Sequence, residues 1–66
     1  MIKVVYFGDV YSASGELLEE AWSDYEVFST QEQAETFISR HPEGTTFEGW
    51  EDGAWLEITD IYLAEN

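Results

Sequence analysis

The sequence of 66 residues contains no cysteine, a single proline and only two basic side chains, Lys3 and Arg40. Without cysteine there is no disulfide framework and no thiolate metal site, so packing must hold the fold and an intracellular location is predicted. No apolar run approaches the roughly 20 residues of a membrane helix, and the apolar segment 1–9 is too short for a signal peptide. We therefore expect a soluble, single compact domain over residues 1–66.

Negative charge is what the chain has in excess. Fifteen Asp and Glu residues give a formal net charge of -13, whereas solubility usually needs a net magnitude of only about 2–8. Repulsion from phosphate groups argues against direct binding to nucleic acid or to an anionic membrane, while a basic protein surface would be attracted. The charge therefore predicts a basic protein partner, and the alternative is an acidic solvated face that has no partner.

The chain is nevertheless expected to fold. It is 44% hydrophobic and 17% aromatic, and three of its aromatic residues are tryptophans. Disordered acidic chains have few aromatic residues, whereas each buried aromatic side chain removes on the order of 150–250 Å² from water. A small hydrophobic core can therefore offset the entropy lost on folding.

The first half of the chain predicts a central strand followed by an ambiguous segment. Ile2–Tyr11 combines β-branched and aromatic residues with apolar positions on both faces, as in an interior strand. After a turn at residues 12–15, one alternative is a short second helix, and the other makes residues 16–28 the return strand of a hairpin. Apolar residues recur at helical spacing in this segment: Leu17, Leu18, Ala21, Trp22 and Tyr25.

The second half predicts a capped helix and a hairpin. Ser29 followed by Glu32 fits a capping box, and the pattern continues as an amphipathic helix over residues 30–40 that Arg40 and His41 close before Pro42. Residues 45–51 and 54–64 predict two strands joined by a type I′ turn at Asp52-Gly53. Period-two alternation predicts core positions in the second of these strands at Leu56, Ile58 and Tyr62.

These elements predict an α+β fold, in which one antiparallel sheet is packed on one side by the amphipathic helix and its other face stays available. The sequence gives no sign of an enzyme, because it has one histidine, no nucleophile motif and no glycine-rich phosphate loop. Carboxylates are abundant but lack calcium-loop spacing, so no metal and no cofactor are predicted.

The candidate partner-binding residues are the acids of the middle segment and of the C-terminal hairpin, together with two tryptophans that flank its turn. Rows of same-face carboxylates on strands present a rigid array of negative charge, and an exposed tryptophan would supply an apolar anchor. The set comprises Glu16, Glu19, Glu20, Asp24, Glu26, Glu48, Trp50, Glu51, Asp52, Trp55, Glu57 and Asp60.

In its size and acidity the chain resembles the small inhibitors that bacteriophages and mobile elements make against host nucleic-acid enzymes, among them anti-CRISPR, anti-restriction and uracil-DNA glycosylase inhibitor proteins. Residues 27–38 are also similar to a V-F-S-T-x-E-x-A-E-x-F-I pattern of small bacterial and phage domains of unknown function. This second similarity supports the predicted strand, helix cap and amphipathic helix, and it identifies no site residues.

The resemblance implies a DNA mimic that acts in the bacterial cytoplasm. Its expected partner is a basic nucleic-acid-binding protein such as a nuclease, a CRISPR effector, a restriction enzyme or a glycosylase. The alternative is a non-mimetic interaction module that binds a host protein through its aromatic sheet face, with the acids forming the rim. An exposed sheet edge is also compatible with a homodimer.

Overall fold

The computed structural model describes residues 1–64, which form four strands and one helix. The strands build an antiparallel sheet in the order β2-β1-β4-β3, and the helix packs on one face, as predicted for an α+β fold. The elements are β1 (Ile2–Tyr11), β2 (Leu17–Phe28), α1 (Gln31–Arg40), β3 (Thr46–Glu48) and β4 (Trp55–Ala64).

Strand β1 has the interior position and the bounds that its composition predicts. Its side chains alternate between the two faces of the sheet. The helix face is the side that carries Val4, Tyr6, Gly8 and Val10, all of them buried. The open face is the side that carries Lys3, Val5, Phe7, Asp9 and Tyr11, all of them half-buried.

The ambiguous middle segment is a strand, so the second-helix alternative is wrong. Strand β2 pairs with β1 from Phe28 to Leu17, and this ladder satisfies the backbone hydrogen bonds that a helix would have formed internally. Two register shifts interrupt the pairing, and Ala21 adopts a positive φ of 56° at the first of them. The apolar residues at helical spacing do not form a buried face, because Leu17 and Leu18 remain 48% and 56% exposed.

Helix α1 begins one residue later than the capping box predicts. Thr30, not Ser29, is the N-cap, and its Oγ1 accepts a hydrogen bond of 3.2 Å from the backbone N–H of Gln33. Ser29 instead donates through Oγ to the Gln33 side-chain oxygen at 3.4 Å. The predicted end is confirmed, since His41 is the C-cap.

The C-terminal hairpin differs from the predicted two-residue turn. Strand β3 has only three residues, and a six-residue connection, 49–54, leads to β4. The backbone N–H of Gly53 donates to the Trp50 carbonyl at 3.1 Å, so Glu51 and Asp52 are the central residues of the turn. A type I′ turn needs a positive φ at both central residues, and neither of these has one.

A register shift in β4 moves its later residues to the opposite face of the sheet. The prediction that Tyr62 is a core residue is therefore wrong. Leu56 and Ile58 are buried opposite Val10 and Gly8, but Thr59 is an extra residue with no partner in β1. Beyond this bulge Ile61 takes the helix face opposite Tyr6, and Tyr62 lies on the open face. Alternation alone cannot foresee such a shift, because it assumes a continuous ladder.

The hydrophobic core lies between the helix face and α1. Its buried members come from β1, β4, the helix and the loop before β4: Val4, Tyr6, Val10, Ala34, Ala54, Leu56 and Ile58. Phe37 of α1 packs against Tyr6 with 6.3 Å between ring centroids and against Phe28 with 5.3 Å. The molecule measures 37 × 18 × 18 Å. The ten-residue helix is about 15 Å long, which is less than half of the longest dimension. Part of the helix face therefore lies beyond the helix.

Candidate functional site

A pocket of about 300 Å³ opens on the helix face beside α1, and we call it the tryptophan cleft. Aromatic and acidic side chains line it together, with one glycine and one leucine. Its residues are Tyr6, Trp22, Asp24, Glu26, Phe47, Glu48, Gly49, Trp50 and Leu56.

One wall of the cleft is the edge strand β2. Trp22, Asp24 and Glu26 pair with Gly8, Tyr6 and Val4 of β1 and therefore lie on the same face. Side chains two residues apart on a strand are separated by roughly 7 Å, so the two carboxylates and the indole form a single row. This row follows from the strand assignment, since a helix would have separated its members.

The opposite wall comes from the end of β3 and the loop that follows it. Gly49 has a φ of 135°, a conformation that side chains rarely adopt, and it turns the chain after Glu48. Trp50 then meets Trp22 from the far edge of the sheet, with ring centroids 5.9 Å apart and planes at 74°. The two strands that carry these walls are the outer strands of the sheet, and the two tryptophan side chains meet over β1 and β4, which lie between them.

The floor of the cleft is formed by packed aromatic and aliphatic side chains. Leu56 is fully buried, and the ring of Tyr6 packs at 5.2 Å from that of Phe47. The His41 ring stacks on Phe47 at 4.8 Å, and its Nδ1 donates to the Phe37 carbonyl at 2.8 Å, because a carbonyl oxygen can only accept. The floor thus joins the cleft to the packed end of α1.

The carboxylates of the cleft contribute to a raised pKa of the tyrosine in its floor. Burial, Asp24 and Glu26 together raise the pKa of Tyr6 above its ordinary value of 10.0. These carboxylates are exposed, and no charged side chain is buried among residues 1–64. Aromatic ring faces beside solvated carboxylates form an environment suited to an organic cation.

The open face forms a second aromatic surface. Tyr11 stacks on Trp55 at 4.6 Å, Phe7 stacks on Tyr62 at 6.2 Å, and the Lys3 ammonium lies 4.6 Å from the ring centroid of Tyr25. No helix or strand of residues 1–64 covers this face, since α1 packs on the other side. Desolvation, followed by Asp9, Glu57 and Glu20, raises the pKa of Tyr11.

The predicted partner-binding residues fall into three groups. Asp24, Glu26 and Trp50 meet in the tryptophan cleft, and Glu48 borders it, although its pairing with Trp55 directs its side chain to the open face. Trp55, Glu57 and Asp60 lie on the open face, opposite Tyr11, Asp9 and Phe7 of β1. The remaining acids are all exposed, at the β1–β2 end of the sheet and in the β3–β4 loop: Glu16, Glu19, Glu20, Glu51 and Asp52.

Sequence reasoning missed three aromatic residues of the cleft: Tyr6, Trp22 and Phe47. A signal for Trp22 was present, because strand alternation places it on the same face as Asp24 and Glu26. The helical alternative for this segment obscured that alternation. Tyr6 and Phe47 gave no separate signal, since both have the pattern of ordinary core residues.

Within residues 1–64 no three His, Asp or Glu side chains converge in an arrangement that could hold a metal ion. The same part of the chain contains no helix that is long and apolar enough to cross a membrane. Comparison with protein-family models, curated proteins and solved structures finds no match.

Proposed function

We propose that this protein is an acidic inhibitor that mimics nucleic acid and occupies the basic nucleic-acid-binding site of a host defence or DNA-processing protein. The expected origin is a phage or mobile element, and the expected setting is the bacterial cytoplasm. The proposal assigns no chemical reaction to the protein. Inhibition would follow from occupying the site and excluding DNA or RNA from it.

The observation that carries the proposal is the density of exposed negative charge along a narrow body. Fourteen of the 15 acidic residues lie in residues 1–64, and none of them is buried. Along the 37 Å long axis this is one carboxylate per about 2.6 Å, against one phosphate per about 1.7 Å of duplex DNA. A groove that is built to bind a duplex would therefore meet a comparable linear density of charge.

Competition with nucleic acid tests the proposal. The tagged protein is used to capture partners from a bacterial lysate at low salt, and bound proteins are eluted first with duplex DNA and then with salt. We expect basic nucleic-acid-binding proteins in the DNA eluate, and we expect the protein to displace labelled DNA from each purified partner. Retention of every captured protein through both DNA and high salt would contradict electrostatic mimicry.

Charge-neutral variants test which acids carry the binding. Changing Glu16, Glu19 and Glu20 to glutamine should weaken binding to the purified partner and reduce its salt dependence. A matched control changes Glu32, Glu35 and Glu43 to glutamine, which removes the same charge outside the predicted set. Equal losses in the two triple variants would argue against the predicted set as the binding surface.

The open face favours a second candidate, a non-mimetic interaction module. Its two stacked aromatic pairs and the exposed Tyr25 and Val27 provide the apolar surface that such a module needs. In that case changing Tyr62 to serine would abolish binding to the captured partner, and the glutamine variants would bind almost normally. Under the mimicry proposal the two outcomes are reversed.

A further inference from the structure

We propose that the tryptophan cleft binds the guanidinium group of an arginine side chain presented by a basic protein partner. The chemistry of the cleft is argued from its own residues, and only the protein source of the arginine rests on the proposed function. The cleft would then anchor the complex at one point, while the surrounding acids provide attraction at longer range.

The aromatic walls favour a planar cation. A cation over an aromatic ring is attracted by the negative ring face, and tryptophan gives the strongest such attraction. The Trp22 and Trp50 rings meet at 74°, so a flat group stacked on one ring meets the other nearly at a right angle. Trp50 is 38% exposed, which leaves ring surface free for a ligand.

The carboxylates favour guanidinium over ammonium. Asp24 and Glu26 project from β2 on the same face as Trp22, so two carboxylates stand beside the aromatic rings along one wall of the cleft. Arginine is planar, weakly hydrated and able to stack on a ring while its N–H groups donate to carboxylates, whereas the lysine ammonium is compact and strongly hydrated. The volume of about 300 Å³ is at the lower end of small-ligand sites and suits a single side chain.

No basic side chain of residues 1–64 fills this site. Neither of the chain's two basic side chains lines the cleft: Lys3 lies over Tyr25 on the open face, and Arg40 is in the last turn of α1. The cleft therefore combines aromatic faces and carboxylates while its complementary charge must come from another molecule. This complementarity distinguishes it from the open face, where Lys3 already contacts an aromatic ring.

Titration with small arginine probes tests the inference. N-acetylarginine methylamide is added to the isotopically labelled protein, and the three indole N–H signals are followed by NMR. We expect the Trp22 and Trp50 signals to shift together, with an affinity on the order of millimolar for this single contact, while the Trp55 signal stays in place. The citrulline analogue, which has the same shape without the charge, should bind at least roughly fivefold more weakly.

Variants and further probes make the test specific. The double variant D24N/E26Q should weaken arginine binding roughly fivefold or more, and W50A should do the same, while the control E57Q/D60N on the open face stays within about twofold of the parent. Folding of each variant is checked by circular dichroism, and D24N/E26Q carries the test if W50A is unfolded. Equal binding of citrulline, equal shifts of Trp55 or unchanged binding by D24N/E26Q would overturn the inference.

Two comparisons separate this inference from its alternatives. Free arginine has the same net charge as the capped amide, because its α-carboxylate and α-ammonium cancel, so a site that recognises only the guanidinium should bind the two alike, and clearly tighter binding of free arginine would refute a protein source. Tighter binding of tetramethylammonium would refute the choice of guanidinium. If arginine fails to bind but the protein still displaces DNA from its partner, only the cleft assignment fails. If arginine binds but DNA is not displaced, the mimicry proposal fails.

Discussion

Gly8 occupies the centre of the sheet, where there is no room for a side chain. An alanine Cβ at this position would lie 2.4 Å from the Glu57 carbonyl oxygen and 2.7 Å from Leu56 Cδ1. The Leu56 side chain is fully buried and the carbonyl belongs to the backbone of β4, so neither can rotate away freely. We expect Gly8→Ala to cost about 3 kcal/mol, the upper part of the range for overpacking of roughly 1–3 kcal/mol.

The predicted loss is large for a domain of this size. Total stability is expected to be about 3–10 kcal/mol, at roughly 0.05–0.15 kcal/mol per residue, and each kcal/mol shifts Tm by about 4–8 °C. Urea denaturation followed by tryptophan fluorescence measures the change, with Ser23→Ala on the exposed edge strand as a control expected to stay within about 0.5 kcal/mol. Because alanine is otherwise better than glycine inside a strand by about 0.5–1 kcal/mol, a Gly8→Ala protein as stable as the parent would refute the steric reasoning.

Two further predictions address the helix cap and the floor of the cleft. Thr30→Ala should lower the free energy of unfolding by about 1 kcal/mol in urea denaturation, because it removes the N-cap acceptor, whereas Ser29→Ala should lower it by less than about 0.5 kcal/mol. A larger loss for Ser29→Ala than for Thr30→Ala would show that Ser29 is the N-cap after all. Because the Tyr6 pKa is raised above 10.0, its stability contribution is complete below about pH 10 and is lost as pH rises through its folded pKa. Tyr6→Phe should therefore lose less stability between about pH 9 and about pH 11 than the parent, and an equal loss would contradict a raised pKa.

Local patterns in the amino-acid sequence are enough to predict the elements whose signals involve only neighbouring residues. Residues 2–11 are rich in β-branched and aromatic side chains, and they form the predicted interior strand. The amphipathic pattern before Pro42 determined the helix and its end, because capping and i, i+4 spacing involve only neighbouring residues. Composition also fixed the excess of negative charge, which requires no structure to be counted.

The remaining features depend on long-range contacts, because pairing between distant strands overrides local pattern. The ladder with β1 made residues 17–28 a strand in spite of helical spacing, and the bulge at Thr59 exchanged Tyr62 for Ile61 on the helix face. The tryptophan cleft depends on the same long-range pairing. Trp22 and Trp50 are 28 positions apart at opposite edges of the sheet, and they meet because the pairing of all four strands brings these edges together and Gly49 turns the chain.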